Sequence, residues 1–251
     1  MQKAQSLSLV IPLYNEAEGI PILAATLSSF ILEVQERKIT WELLLIDDGS
    51  TDETADLLAA CFPEDDRIHI IRHQHNWGVG AAYRSGIHLA RSEIIVCYDA
   101  DCSYPIEDIW KLYEAVATGK AQAASASPYA GGGVDENIPW LRRVLSRELS
   151  ELYRYLLSDI AGNIRTFSAG FRAYQADIIK TIPFRADGFL AATEILVQML
   201  LERWTVCEIP CQLSERKWGA SKMKVIPTIL AHIRFMVAIS LGLGRESRKN
   251  V

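Results

Sequence analysis

The chain has 251 residues, with 26 Lys+Arg against 31 Asp+Glu, a formal net charge of −5 and 49% hydrophobic residues. This is ample material for one large core or two small ones, and 23% charged residues with only 15 Gly and 9 Pro exclude disordered and collagen-like chains. Net acidity argues against a general nucleic-acid binder, but the charge is uneven: residues 214–251 hold eight Lys/Arg and two Glu, a balance of +6, which leaves −11 on the rest.

In chain order, Leu9-Val10-Ile11-Pro12 is an apolar run, followed by a helical stripe at Ile20, Leu23, Leu27, Phe30/Ile31 and Val34. Leu43–Ile46 predicts a buried strand that stops at Asp47-Asp48-Gly49-Ser50, with Thr51 or Asp52 available to cap the next helix. Arg67–Ile71 predicts a strand, Gly80–Ala90 a helix, and Glu93–Tyr98 a strand that stops at Asp99-Ala100-Asp101. Ser103-Tyr104-Pro105 opens a helix that runs to about Val116, and Ala121–Ser127 reads as a strand of small residues. Gly131-Gly132-Gly133 marks a loop before a helix over Trp140–Leu157. Gly170–Tyr174 reads as a strand, Ala191–Glu202 as a helix and Thr205–Leu213 as a strand. An apolar stretch, Val225–Gly244, closes the chain and is interrupted by Pro227, His232 and Arg234.

Strand–helix alternation of this kind predicts an α/β fold, a mostly parallel sheet covered by helices on both faces. Such sheets bind ligands outside the carboxyl ends of their strands. Tyr14-Asn15-Glu16, Asp47-Asp48 and Asp99-Ala100-Asp101 each follow a strand, so three polar clusters are expected at one edge. No internal repeat or linker is visible, and residues 1–224 read as one domain with 225–251 as a C-terminal apolar and basic helix. A central Arg makes that helix a poor bilayer span, leaving a helix packed on the domain or lying on a membrane surface. Five cysteines without a Cys-x-x-Cys pair read as reduced thiols of a cytosolic protein; Cys207 and Cys211 lack the second pair a zinc site needs. The N-terminus has no signal-like hydrophobic region.

Asp99 and Asp101, two apart at a strand end, suit a hard divalent cation that shares its shell with phosphate oxygens; a solvated turn is the plainer alternative. Asp47-Asp48-Gly49-Ser50 offers carboxylates to a ribose or base edge, or forms a capped turn. Arg216-Lys217-Trp218-Gly219-Ala220-Ser221-Lys222 is a basic loop, either solvated or set to neutralise a diphosphate leaving group. Arg142, Arg143 and Arg147 sit at spacings usual for a solvated helix face, while His69, His73, His75 and His88 show no ligand spacing. Gly78-Val79-Gly80 fails the dinucleotide fingerprint because Tyr83 stands where its third glycine belongs, and it follows the third strand; with Asp-Ala-Asp this disfavours a dehydrogenase. Neither a phosphate-binding Gly-x-x-x-x-Gly-Lys-Ser/Thr loop nor a Gly-x-Ser-x-Gly elbow is present.

Together the ordered segments Val10-Ile11-Pro12-Leu13-Tyr14-Asn15-Glu16, Ile46-Asp47-Asp48-Gly49-Ser50, Asn76-x-Gly78-x-Gly80-x-Ala82-Tyr83 and Asp99-Ala100-Asp101-x-Ser103-x-Pro105 resemble glycosyltransferase family 2. So do Gly131-Gly132-Gly133-Val134, Trp140-x-x-Arg143-x-x-Ser146-Arg147, Gly170-Phe171-Arg172-Ala173-Tyr174 and Arg216-x-x-Gly219-x-Ser221-Lys222. The likeness is to the dolichol-phosphate (polyprenyl-phosphate) mannosyltransferases, and it runs from residue 7 to about 224. The resemblance implies a GT-A fold and a metal-dependent, inverting transfer of a hexose, with mannose favoured. The donor would be a nucleotide-diphosphate sugar, GDP-mannose ahead of a UDP-sugar, and the acceptor a polyprenyl phosphate at the cytosolic membrane face. By this likeness Pro12, Tyr14, Glu16, Ile46 and Asp48 hold the nucleoside, while Asp99, Ala100 and Asp101 meet the diphosphate. Asp99, Asp101 and Ser103 carry Mg²⁺ or Mn²⁺, Arg216 and Lys222 grip the diphosphate, and Arg143 and Arg147 face the lipid phosphate. Glu194 matches a recurrent acid of the family and is expected as a support residue. Two positions depart from the pattern: Pro128 replaces an Arg and Thr166 an Asp. They leave open a transferase with another acceptor, or a sugar-nucleotide-binding protein without transfer activity.

Overall fold

The computed structural model describes residues 5–62, 64–136, 140–216, 218–219 and 222–242. Lys217, Ser221 and the basic tail 243–251, all named above, lie outside the described residues. The strands are β1 (Leu7–Leu13), β2 (Trp41–Asp47), β3 (Ile68–Arg72), β4 (Ile94–Cys97), β5 (Ala123–Ser127), β6 (Val134–Glu136), β7 (Arg172–Gln175), β8 (Val206–Pro210) and β9 (Gln212–Ser214). The helices are α1 (Ile20–Glu36), α2 (Thr54–Cys61), α3 (Val79–Leu89), α4 (Asp108–Ala117), α5 (Trp140–Leu156), α6 (Ala176–Ile179), α7 (Leu190–Leu201) and α8 (Val225–Ser240). A single 3-10 turn at Ala17–Gly19 leads into α1.

Seven strands form the main sheet in the order β3-β2-β1-β4-β7-β5-β8, and β6 pairs with β9 in a small second one. Every pair in the main sheet is parallel except those made by β7, which runs against both β4 and β5. The register aligns Leu13 with Asp47 and Val10 with Cys97, so the chain leaves β1, β2 and β4 on the same side. Because β7 is reversed, its first residue Arg172 pairs with the last of β4, Cys97. The segment that precedes β7 therefore arrives where its neighbours depart.

Alternation along β1 divides the core. Leu7, Leu9, Ile11 and Leu13 point toward α1, α2 and α4, among Leu23, Leu27, Phe30, Leu58 and Trp110. Val10 points the other way with Leu44 and Ile46, under Ala82 and Ile87 of α3 and Ile195 of α7. Each such buried Leu or Ile contributes on the order of 1.5–3 kcal/mol of transfer free energy. A third cluster joins Tyr153, Leu157 and Phe167 to Leu196, Val197 and Leu200, with Phe235, Met236 and Ile239 of α8 packed against it. Among the described residues, Ala17–Glu36 is long and apolar enough to cross a bilayer, but its stripe of Ile20, Leu23, Leu27, Phe30 and Val34 is buried against the sheet.

Two sequence expectations change. Thr51 does not cap α2: its N–H and hydroxyl turn to Asn15 Oδ1, and Asp52 Oδ1 accepts from Thr54 N at 3.0 Å instead. The run Thr205–Leu213 is two strands, because Cys211 breaks out between β8 and β9 and the chain passes from one sheet to the other.

Close approach of α3 to β1 depends on Gly86, where an added Cβ would lie 2.3 Å from Val10 Cγ1. Gly86→Ala is accordingly expected to destabilise by about 1–3 kcal/mol despite its better helix propensity. Urea unfolding should record this as a lower midpoint with an unchanged slope.

Candidate active site

The strand ends interlock before any ligand is considered. Asn15 N–H donates to Ser50 Oγ at 2.9 Å and Glu16 N–H to Thr54 Oγ1 at 2.8 Å, tying the β1 exit to the β2 exit. Asp48 is buried, and its Oδ1 accepts from Trp77 N at 3.0 Å while Oδ2 accepts from Gly78 N at 2.7 Å. His73 Nδ1 stands 2.7 Å from the same Oδ1, and its Nε2 stands 2.9 Å from Ser85 Oγ. Asp48 thus shapes the 73–78 loop as well as facing the cleft.

The β4 exit carries Asp99 and Asp101. Tyr83 Oη donates to Asp99 Oδ1 at 3.5 Å, and burial together with that carboxylate pushes the phenol well above its ordinary range, so it remains a donor. Both groups meet at Gly170, just before β7, where a Cβ would come 2.4 Å from Tyr83 Oη and 3.1 Å from Asp99 Oδ1. Asp101 Oδ1 accepts from Ser103 N at 3.0 Å. Across from it, Arg216 Nε lies 3.2 Å from Asp101 Oδ2 and Nη2 lies 3.2 Å from Glu16 Oε1. Glu16 is pushed up from the usual carboxylate range chiefly by burial, against the pull of Arg216. Trp218 packs where a side chain on Gly19 would stand, and Gly219 N donates to Glu18 Oε2 at 3.2 Å, so the basic loop lies over the 3-10 turn.

These groups open into one cleft of about 780 Å³. Pro12, Tyr14, Glu16, Asp48, Asp99, Ala100, Asp101, Ser103, Arg216 and Lys222 all line it; the strand-end argument accounts for the acids and Tyr14, and the family resemblance for the basic pair. Ile46 does not line it. It is fully buried beneath α3 with Val10 and Leu44, because its position in β2 points its side chain to the core rather than the edge. Arg143 and Arg147, on α5, are not among the lining residues either; Arg147 stacks its guanidinium over the ring of Tyr129, 4.8 Å from the centroid, and Tyr129 does line the cleft.

Beyond Asp99 the cleft changes character. Pro128, Tyr129, Thr166 and Ser168 border it, and then Leu145, Leu149 and Leu152 of α5 face Val225, Ile229, Ile233 and Met236 of α8. Thr166 is buried with its hydroxyl 2.6 Å from Ser127 Oγ, and its N–H donates to Glu208 Oε1 at 2.6 Å. Glu208 also takes the Arg165 N–H at 2.9 Å, and burial raises its carboxyl above the usual range. Glu194 Oε2 accepts from Arg185 N at 3.1 Å and Ala186 N at 2.8 Å, which makes it a brace for the loop before α7.

Sequence reasoning missed His73 and the whole α8 wall. His73 directly follows β3, so the strand-end rule applied to Asp48 and Asp99 points to it as well. Nothing in the local pattern of α8 says which neighbour it packs on.

Residues 8–182 match the family described as Glycosyl transferase family 2. The chain belongs to that family. It is 33% identical over 232 residues to the "Polyprenol monophosphomannose synthase" of Mycolicibacterium smegmatis, covering 89% of this chain and 83% of that one. It is 32% identical over 222 residues to the "Undecaprenyl-phosphate mannosyltransferase" of Micrococcus luteus, covering 85% and 86%. Among solved structures, glucosyl-3-phosphoglycerate synthase from Mycobacterium tuberculosis, in complex with Mn²⁺, uridine diphosphate and glucosyl-3-phosphoglycerate, superposes with a TM-score of 0.68 at 19% identity, covering 100% of this chain and 84% of that one. That likeness is one of fold, and it identifies the architecture as GT-A. The chain is therefore a glycosyltransferase with a GT-A fold, as its strand-end motifs imply.

Asp48→Ala is expected to leave the part-buried Trp77 and Gly78 amides without their acceptors, at a cost of about 1 kcal/mol each because water can take up some of the loss. Hydrogen exchange should accelerate at those two amides specifically. Asp48→Asn should lose stability too, since both carboxylate oxygens accept and an amide nitrogen would face a donor.

Proposed function

We propose that the protein transfers a hexose, with mannose favoured, from a nucleotide-diphosphate sugar to a polyprenyl phosphate at the cytosolic membrane face. The observation that carries this reading is the continuity of the cleft. A charged donor end built on Glu16, Asp99, Asp101, Arg216 and Lys222 runs without a break into an apolar trough between α5 and α8. A sugar nucleotide matches the first, and a phosphate with a hydrocarbon chain matches the second. The relatives named for polyprenol and undecaprenyl phosphate support the same pairing and a mannosyl group; GDP-mannose, ahead of a UDP-sugar, is the donor in this reading.

In this reading Pro12, Tyr14, Glu16 and Asp48 hold the nucleoside end, and Ala100 borders the diphosphate. Among the described residues no three His, Cys, Asp or Glu side chains gather as a cation cage. The donor set at the β4 exit is two carboxylates and the Ser103 hydroxyl, which fits Mg²⁺ or Mn²⁺ completing its shell with diphosphate oxygens and water. Such a cation would supply positive charge to the diphosphate. Arg216 now divides its charge between Glu16 and Asp101; a diphosphate offers it a denser anion, and Lys222 lies on the same side of the cleft. An oxygen of the acceptor phosphate attacks the anomeric carbon from the face opposite the diphosphate. The new C–O bond forms as the old one breaks, the diphosphate leaves with the electron pair, and the configuration inverts. A phosphate monoester is already ionised at neutral pH, so the main work of the site is to stabilise the departing charge rather than to remove a proton.

Arg147, stacked on Tyr129 at the cleft border, and Arg143 one helical turn before it stand just outside the lining and would turn inward to meet the acceptor phosphate. Residues 1–224 would form the transferase unit, with α8 (Val225–Ser240) as its surface helix. Ile226, Leu230 and Val237 along α8, and Leu241 just past it, form an exposed apolar stripe, and Trp140 and Tyr155 of α5 are also exposed. Aromatic and aliphatic groups so displayed, beside Lys222, Lys224 and Arg234, suit an anionic lipid surface.

Incubation of the full chain with a panel of GDP- and UDP-sugars and a polyprenyl phosphate, read by the mass of the lipid product, is expected to give a hexosyl phospholipid with GDP-mannose as the best donor. Donor hydrolysis without lipid product would overturn the acceptor. Asp101→Ala should lower turnover by at least about a hundredfold, on the scale of losing one charge-stabilising group, in a protein that still folds although its melting temperature falls with the lost Arg216 and Ser103 contacts. EDTA should abolish turnover; full activity in either case removes the metal role.

A further inference from the structure

His232 is the exception on α8. Most of the helix is exposed or half-buried, yet this side chain is 4% exposed and lines the cleft. Its Nδ1 stands 3.0 Å from Tyr153 Oη of α5, and the rings meet edge to face at 5.9 Å. Burial lowers the imidazole to about 4, so it is neutral near pH 7, and its contact with the phenol is a hydrogen bond between two neutral groups whose donor is set by the ring tautomer. Tyr153 in turn stacks on Phe167, with centroids 5.3 Å apart and planes at 16°. Phe167 is held in place on three sides. Its carbonyl accepts from Arg172 Nη2 at 2.8 Å and Thr193 Oγ1 at 3.2 Å, and its N–H donates to Ser150 Oγ at 3.3 Å. Thr166 and Ser168, on either side of it, border the cleft. A continuous relay therefore runs from α8 through His232, Tyr153 and Phe167 to the floor of the site.

Among the described residues, apolar contacts also dock α8. Phe235, Met236 and Ile239 pack on the cluster around Tyr153 and Leu196, and such contacts tolerate sliding and rotation because they are not directional. A hydrogen bond between two buried groups is directional and costly to leave unmade, so it selects one rotation and one height for the helix. That choice sets which α8 residues, Val225, Ile229, Ile233 and Met236, face Leu145, Leu149 and Leu152 across the apolar trough.

We propose that His232 is a positioning residue for the acceptor: through Tyr153 it fixes the pose of α8, and so the width of the trough that receives the acceptor's hydrocarbon chain. This rests on the reading of that trough as the acceptor site. His232 needs no contact with the reacting atoms to act in this way, and the donor end of the cleft does not depend on it.

The test compares wild type with His232→Ala, His232→Asn and Tyr153→Phe in the full chain, using a C15 prenyl monophosphate in detergent as acceptor. Asn keeps an acceptor oxygen near the position of Nδ1. His232→Ala and Tyr153→Phe are expected to raise the acceptor KM by at least about fivefold, with the donor KM and kcat within about twofold of wild type and the double variant no worse than either single one. His232→Asn should recover most of the loss. An unchanged acceptor KM, or a parallel loss of donor KM, kcat and melting temperature, overturns the proposal and leaves an ordinary packing histidine. Hydrogen exchange decides the pin apart from the identity of the acceptor. His232→Ala should accelerate exchange across 225–240 while leaving 190–201 as in wild type, and unchanged exchange in α8 defeats it even where wild type makes no prenyl product. Absence of that product with accelerated exchange in the variant counts against the acceptor reading and upholds the pin.

Discussion

The hydrogen-bonded register of β1 with β2 and β4, reversed only at β7, sets where the polar groups of the cleft stand. Parallel strands exit on one side, so Tyr14, Asp48 and Asp99 are neighbours although they come from distant parts of the chain. An antiparallel strand in the middle of such a sheet delivers its entry at the same place, and this brings Thr166, Ser168 and Gly170 under Asp99. One edge thereby holds the ends of β1, β2 and β4 and the start of β7. A sheet with β7 parallel would send residues 166–170 to the opposite edge.

Concentrating carboxylates at that edge has an electrostatic cost, which the fold meets with cations from far along the chain. Glu16 and Asp101 share Arg216, and burial raises Glu16 above its ordinary range even with that partner. A buried charge is stable only when paired, so the basic loop after β9 belongs to the same electrostatic unit as the β1 and β4 exits. The uneven charge along the chain has this as one of its causes. Acidic strand exits lie in the body, and the balancing Arg216 and Lys222 come from its basic end.

The departures at Pro128 and Thr166 find a local account. Thr166 closes a neutral bond with Ser127, and both Thr166 and Arg165 give their N–H groups to Glu208, so an acid still stands close behind that part of the floor although it arrives from β8. Beside Pro128, Tyr129 carries Arg147 on its ring, and Arg165 Nη1 donates to its carbonyl at 3.4 Å. Positive charge is thus present at the border without a basic side chain at position 128.

Periodicity and punctuation determined much by themselves: the alternating strands and helices, the two-sided core and the acids at strand exits, because these depend on which residues are neighbours along the chain and on the pitch of each element. Tyr14, Glu16, Asp48, Asp99, Ala100 and Asp101 stand on the cleft for that reason, whereas Pro12, Ser103, Arg216 and Lys222 are expected there from the family resemblance. Ile46 shows the limit of position alone, since a residue beside a strand end belongs to the core or to the site according to which way its side chain points. The direction of β7, the split at Cys211, the loop held by Asp48 and the seat of α8 on His232 were decided only in three dimensions. Each depends on a partner dozens of residues away, and a long-range hydrogen bond or packing contact leaves no period in the sequence from which it could be read.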